Sequence, residues 1–221
     1  MSTRPATPRR RGRPPAEKSA DRRARLLQAA LELFAERGIA ATPLNAIARR
    51  ARVTPALVHY YFGNRDKLID AVVEERLVPL MQRATMPIAD AGADLPSALL
   101  GFARQLMQTL AATPWLPPLW LREVVGAGGL LRERLIGRVA PRVAARVAAL
   151  AAEAQARGAL NPALDPRLLL VSLIALTVFP FAAAPIWSRL PGNADIDADT
   201  LTRHMLALLR HGLEPPHAPS A

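Results

Sequence analysis

Two Thr-Pro pairs stand twelve residues apart, Thr42-Pro43 and Thr54-Pro55. Threonine is favoured just before a helix because its hydroxyl accepts a bond from an orphaned backbone N–H, and the fixed φ of proline suits the first helical position. Each pair is followed by apolar residues at helical spacing: Leu44, Ile47, Ala48 and Ala51 after the first, Leu57, Val58, Tyr61 and Phe62 after the second. The spacing predicts two short helices on a tight turn, the first over about 43–51 and the second beginning at 55. In this helix-turn-helix grammar the second helix enters the DNA major groove led by its N-terminal residues. The chemistry on offer is recognition of phosphates and base edges.

Bond-making chemistry finds no comparable set. There is no nucleophile elbow, phosphate loop or metal-spaced cluster, and the four histidines are scattered. His204 and His211 lie seven apart, two turns along one helix, which is too far to chelate a single ion simply. The chain has no cysteine, which removes disulfides and thiolate metal sites and fits a reducing cytosol. No catalytic residue, metal or cofactor is expected.

The formal net charge is +11, and its placement matters more than its size. Residues 1–65 hold 14 Lys/Arg against 4 Asp/Glu, a balance of +10, whereas residues 66–221 hold 15 against 14, a balance of +1. A cationic N-terminal third on a neutral body is the footprint of a protein that docks a polyanion with one face. Nucleic acid leads, with an anionic membrane surface second.

The elements that must position the turn are helical. Ala and Leu dominate, β-branched runs are scarce, and no stretch alternates as a strand does, so an all-α fold is expected. Leu27, Ala30, Leu31 and Phe34 form one stripe of a first helix over about 20–37 that stops at Gly38. Asn64 is placed to cap a fourth helix over about 65–84, with Pro79 as a kink point. A loop over 87–96 precedes helical patterns at about 96–112, 115–126, 129–157, 165–190 and 197–213. The predicted organisation is a disordered basic arm (1–18), a helix-turn-helix domain (19–68), a helical domain (69–213) and a flexible tail (214–221).

Residues 44–68, from Leu44-Asn-Ala-Ile-Ala through Ala51-Arg-Val-Thr-Pro and Tyr60-Tyr-Phe-Gly-Asn-Arg65 to Leu68, resemble the DNA-binding domain of the TetR/AcrR family of repressors. The resemblance covers about residues 22–70 and includes Phe34, Gly38 and Thr42. It implies that Thr54, Pro55, Ala56, His59 and Tyr60 face DNA, that Asn45 approaches the backbone and that Arg65 is a phosphate clamp. Hydroxyls and guanidinium groups position on phosphates, while the exposed face of a short helix reads base edges. Tyr60 and Tyr61 have a competing role as core aromatics, the stronger for Tyr61 because it shares the Leu57 face. Two residues depart from the family pattern. Arg52 stands where a turn glycine is usual, so either the turn is altered or Arg52 adds a phosphate contact, and His59 stands where tyrosine is usual. Arg11 and Arg13, within Arg11-Gly-Arg-Pro14, resemble an AT-hook core for the A·T minor groove; a solvated basic arm that adds nonspecific affinity is the alternative.

The resemblance further implies a helical effector-binding and dimerisation domain; a two-fold homodimer would then present two recognition helices about 34–36 Å apart to a palindromic operator, and a cytoplasmic location is expected. Within that domain only physical reading applies. Phe102, Leu106, Met107, Trp115, Trp120, Phe179 and Trp187 are the large side chains available to line a cavity for a small hydrophobic or aromatic effector, with ordinary core packing as the alternative. Arg122 and Glu123 read as a surface ion pair or, alternatively, as polar fixtures of that cavity. Val143, Val147, Leu150 and Ala154 form an i, i+4, i+7, i+11 seam in an Ala-rich helix and, with the apolar stretch around Leu173, are the candidate dimer interface. Residues 168–188 carry no charge, so by length they are also a candidate membrane span, opposed by Pro180 and Pro185. A membrane-associated or architectural DNA-binding protein without ligand control is the rival to a ligand-released repressor.

Overall fold

The computed structural model describes residues 15–92 and 94–215, and every regular element among them is helical. Arg11 and Arg13 lie outside the described residues. Helix α1 (Pro15–Arg37) starts four residues inside the stretch expected to be a disordered arm. Proline preorganises a first helical turn, and Ala16-Glu17-Lys18 are good helix formers. Helices α2 (Leu44–Arg50) and α3 (Pro55–Phe62) pack on α1 around Phe34, Ile47, Val58 and Phe62, none more than 4% exposed.

The two threonines do not act as the caps that the sequence suggests. Pro43 takes the capping position of α2, and the buried Thr42 hydroxyl instead donates to the Gly38 carbonyl at 2.7 Å, satisfying an orphaned acceptor at the end of α1. Thr54 does sit at the cap position of α3, but its side chain accepts no backbone bond, which leaves the hydroxyl at an exposed site. Asn64 behaves as expected, its side chain accepting from Lys67 N–H at 2.9 Å at the start of α4 (Arg65–Val72).

Beyond α4 the helix widens into a π-turn (Val73–Leu77) and continues as α5 (Val78–Ala89). Pro79 has no N–H to give the preceding turn, and the widened turn lies where that bond is missing. Helices α6 (Leu95–Ala112), α7 (Leu116–Trp120, extended by a π-turn over Leu121–Val125), α8 (Arg132–Ala156), α9 (Leu169–Ala182), α10 (Ala184–Trp187) and α11 (Ala198–Leu213) complete the body. One apolar cluster runs without a break from Phe34, Ile47 and Leu68 into Leu119, Val124 and Leu131, so head and body share a core.

Two expectations about surfaces change. The uncharged stretch 168–188 is divided into α9 and α10 around Ala183. Fourteen residues of α9 rise only about 21 Å, short of the roughly 30 Å hydrocarbon layer, and no helix among the described residues is long and apolar enough to cross a membrane. The seam on α8 turns inward as well. Val147, Ala154 and Leu173 are fully or almost fully buried in the chain's own second core cluster, against which Val143 and Leu150 pack in part. Such residues are already covered by their own chain. Several of the apolar side chains left uncovered cluster on or just before α9 and α10, where Leu168, Val171, Leu176, Phe179 and Ile186 are all exposed.

Candidate nucleic-acid interface and effector cavity

Helix α2 ends in a Schellman turn: Val53 N–H reaches the Ala48 carbonyl at 3.0 Å and Arg52 N–H the Arg49 carbonyl at 3.1 Å. That turn requires a left-handed residue, and Arg52 supplies it at φ 55°, the single positive-φ residue other than glycine among those described. The strain sets the angle between α2 and α3 and puts the Arg52 guanidinium at the surface. Neighbouring cations divide sharply. Arg50 is held in a fork by Glu36 (2.9–3.0 Å) and by Glu32 at 3.1 Å, and Arg50 in turn draws the Glu36 carboxyl below the usual carboxylate range. Arg49 and Arg52 are exposed and have no acidic partner among the described residues. Arg49, which the sequence reading passed over, therefore joins the cations facing outward at the end of α2.

Along α3 the proposed reading residues all reach solvent. Thr54, Pro55, Ala56, His59 and Tyr60 are exposed, Tyr60 to 78%, and Asn45 is exposed on α2. The tyrosine pair divides the two roles that sequence left open. Tyr61 is partly buried, with its hydroxyl 2.9 Å from Ser19 Oγ on α1, while Tyr60 stands edge-on to it with ring centroids 5.2 Å apart. His59 Nδ1 lies 3.0 Å from the Gly63 carbonyl. A carbonyl only accepts, so Nδ1 carries the hydrogen and the neutral ring keeps Nε2 as an acceptor. Arg65 is half-buried and donates to the Thr42 carbonyl at 3.1 Å. That bond braces α4 against the entry to α2.

Polar links from α7, α8 and the turn between them tie this head to the body. Arg122 Nη1 donates to the Glu36 carbonyl at 2.9 Å. Arg134 on α8 spans Asp70 (2.9 Å) and Asp66 (3.2 Å) in α4. Glu123, only 5% exposed, accepts the Ile39 N–H at 2.8 Å on one oxygen and the Leu130 N–H at 3.1 Å on the other. Arg122 and Glu123 are thus neither a surface ion pair nor part of a cavity wall. Gly38, at φ 85°, lets the chain approach this carboxylate, since a Cβ there would stand 3.1 Å from Glu123 Oε1.

The same α7 segment borders a cavity of about 110 Å³ in the body, between α5, α6, α7, α8 and α9. Of the expected lining residues, Phe102, Leu106 and Trp120 do line it. Met107 is fully buried in the core, Trp115 packs partly buried against the first cluster, and Phe179 is 61% exposed on the outer side of α9. A helix whose two faces are both apolar gives no signal in sequence for which residue faces in, and α9 is such a helix.

A strained turn, a short helix with an outward row of polar and aromatic side chains, and unpaired arginines beside it define a helix-turn-helix DNA-binding protein. Residues 26–72 match the family model for bacterial regulatory proteins of the tetR family, and these residues span the helix-turn-helix head. It is 49% identical over 74 residues to HTH-type transcriptional repressor Rv3405c of Mycobacterium tuberculosis, a match covering 34% of this chain and 38% of that protein. The whole fold resembles the ketosteroid transcriptional regulator KstR2 of Mycobacterium tuberculosis (TM-score 0.70, 21% identity, 87% of this chain and 95% of the other). It also resembles the transcriptional regulator SCO4942 of Streptomyces coelicolor (TM-score 0.63, 27% identity, 88% and 99%). The chain therefore spans well under half the length of the curated relatives it matches by sequence, and the likeness over the body is one of fold.

Proposed function

We propose that this protein is a transcriptional repressor that binds a two-fold symmetric operator as a homodimer and leaves it when a small hydrophobic molecule fills the cavity among α5–α9. The observation that carries the DNA-binding half is the row Arg52, Thr54, Pro55, Ala56, His59 and Tyr60, uncovered along the turn and α3. On this reading Tyr60 and the His59 ring meet base edges, with neutral Nε2 accepting from an adenine or cytosine amino group, and Arg49, Arg52 and Asn45 meet phosphates. Repression is supported by similarity of the head to a protein named as a repressor.

Dimerisation is supported by the uncovered stripe on α9 and α10, whose large apolar side chains would stay wet in a lone chain. Control by a small molecule is supported by continuity: α7 carries cavity-lining Trp120 and Val124 on either side of Glu123, which holds the backbone at the entry to the helix-turn-helix. Filling the cavity biases that segment, and with it the spacing of two recognition helices. Selecting genomic fragments bound by the protein, sizing the complex by sedimentation, and adding hydrophobic compounds to the selected fragments tests each part. An asymmetric site bound by one chain would overturn the dimeric reading.

A further inference from the structure

Resting on the reading of this cavity as the effector site, we infer that its ligand is a slender, uncharged aliphatic chain, taken up by shape with no polar anchor inside. The walls are carbon. Of 21 lining residues, 17 are Leu, Ile, Val, Met or Ala, and no charged side chain is among them. The two polar ones, Thr85 and Thr109, already donate their hydroxyls to carbonyls of their own helices: Thr85 to Met81 (3.0 Å) and Gln82 (3.1 Å), Thr109 to Gln105 (2.8 Å). A carboxylate or ammonium brought inside would lose its hydration with nothing to replace it, so charged ligands are disfavoured by a wide margin.

Shape narrows the class further. Lining residues on α6 run from Phe102 to Leu110 and on α9 from Leu170 to Val178, eight positions each, which at about 1.5 Å per residue gives walls about 12 Å long. Along walls of that length, a volume of about 110 Å³ leaves a narrow slot. Gathered compactly, the same volume falls below the roughly 150 Å³ that houses one benzene ring. An extended methylene chain fits such a slot, and a rigid fused-ring molecule does not. The aromatic effector suggested by the Trp and Met content gives way to an aliphatic one, since Phe102 and Trp120 are the only aromatic rings in the lining.

The test uses the full chain and two matched series, methyl esters of linear saturated acids from six to sixteen carbons and the free carboxylates of equal length, with cholesterol as the fused-ring comparison. Calorimetric titration should show ester affinity rising about threefold to fourfold per added methylene and then levelling when the slot is full. Carboxylates of matched length should bind at least about 100-fold more weakly. Ala84→Phe and, independently, Leu106→Trp, each checked for retained DNA binding, should move the plateau to shorter esters. Equal binding of acids and esters, tighter binding of cholesterol than of any ester, or ester binding unaltered in both variants would overturn the inference. Failure of every ester to bind a chain that still binds DNA overturns it too. Esters that bind without releasing DNA support the ligand class and sink the ligand-released repressor instead.

Discussion

Glu123 Oε1 accepts the backbone N–H of Ile39 at 2.8 Å, across 84 positions of sequence, while the other oxygen of the same carboxylate holds Leu130 N–H. One side chain thereby satisfies a donor in the DNA-binding head and a donor in the body. Glu123→Ala strands two N–H groups in a site where the side chain is almost wholly buried, and is expected to lower stability by about 2–4 kcal/mol. Glu123→Gln keeps one acceptor and turns its amide toward the second donor, so its loss should be about half as large. Urea denaturation of the three proteins checks the order; equal stability of all three would remove Glu123 from the joint.

Arg52→Gly relieves a left-handed backbone that costs arginine about 1–2 kcal/mol, part of which returns as greater freedom of the unfolded chain. The variant should be more stable by up to about 1 kcal/mol and bind DNA more weakly. If Arg52 meets a phosphate, the slope of log affinity against log salt falls by about 0.9. An unchanged slope together with the stability gain would assign Arg52 to the turn alone.

Tyr60→Ala and Tyr61→Phe should separate cleanly. Removing the exposed Tyr60 ring is expected to change sequence preference, costing about 1–3 kcal/mol at its base, with little effect on folding. Removing the Tyr61 hydroxyl, which bonds Ser19, should cost about 1 kcal/mol of stability and leave sequence preference intact. Operator-variant binding and thermal denaturation of both proteins decide this. A shift in preference from Tyr61→Phe would mean that α3 is rotated on the DNA.

Arg65→Ala should weaken binding evenly across operator variants while also lowering stability, because Arg65 braces the Thr42 carbonyl. Gel-shift titrations over a salt series, paired with denaturation, distinguish this from a pure phosphate contact, which would alter binding and leave the melting temperature unmoved.

Local rules made the head legible in sequence. The period of Leu27 to Phe34, the stop at Gly38, the Asn64 cap and the tight turn around Arg52 depend on near neighbours, and each is seen in the fold. The Thr42 hydroxyl escaped the same rules because a distant preference won: a buried carbonyl at the end of α1 captured it. In the body the signals are weaker for a physical reason. Val147 and Ala154 carry a seam pattern that serves equally for one's own core or for a partner, and Phe179 and Leu173 sit on a helix that is apolar all round. Glu123 gave no sign of its role because its partners are backbone groups far along the chain.

The carbon-walled slot also leaves its mark on folding energetics. At about 24 cal/mol per Å³, an apolar cavity of about 110 Å³ amounts to a packing deficit of up to about 2–3 kcal/mol in the empty protein. Substitutions that partly fill it, such as Ala84→Phe, reduce that deficit and, on the proposed reading, the length of ligand the slot accepts together. If the protein is the ligand-released repressor proposed above, selection for heat resistance alone would drift toward a rigid, permanently operator-bound form, and keeping the slot open sets a ceiling on how stable a responsive version of this chain becomes.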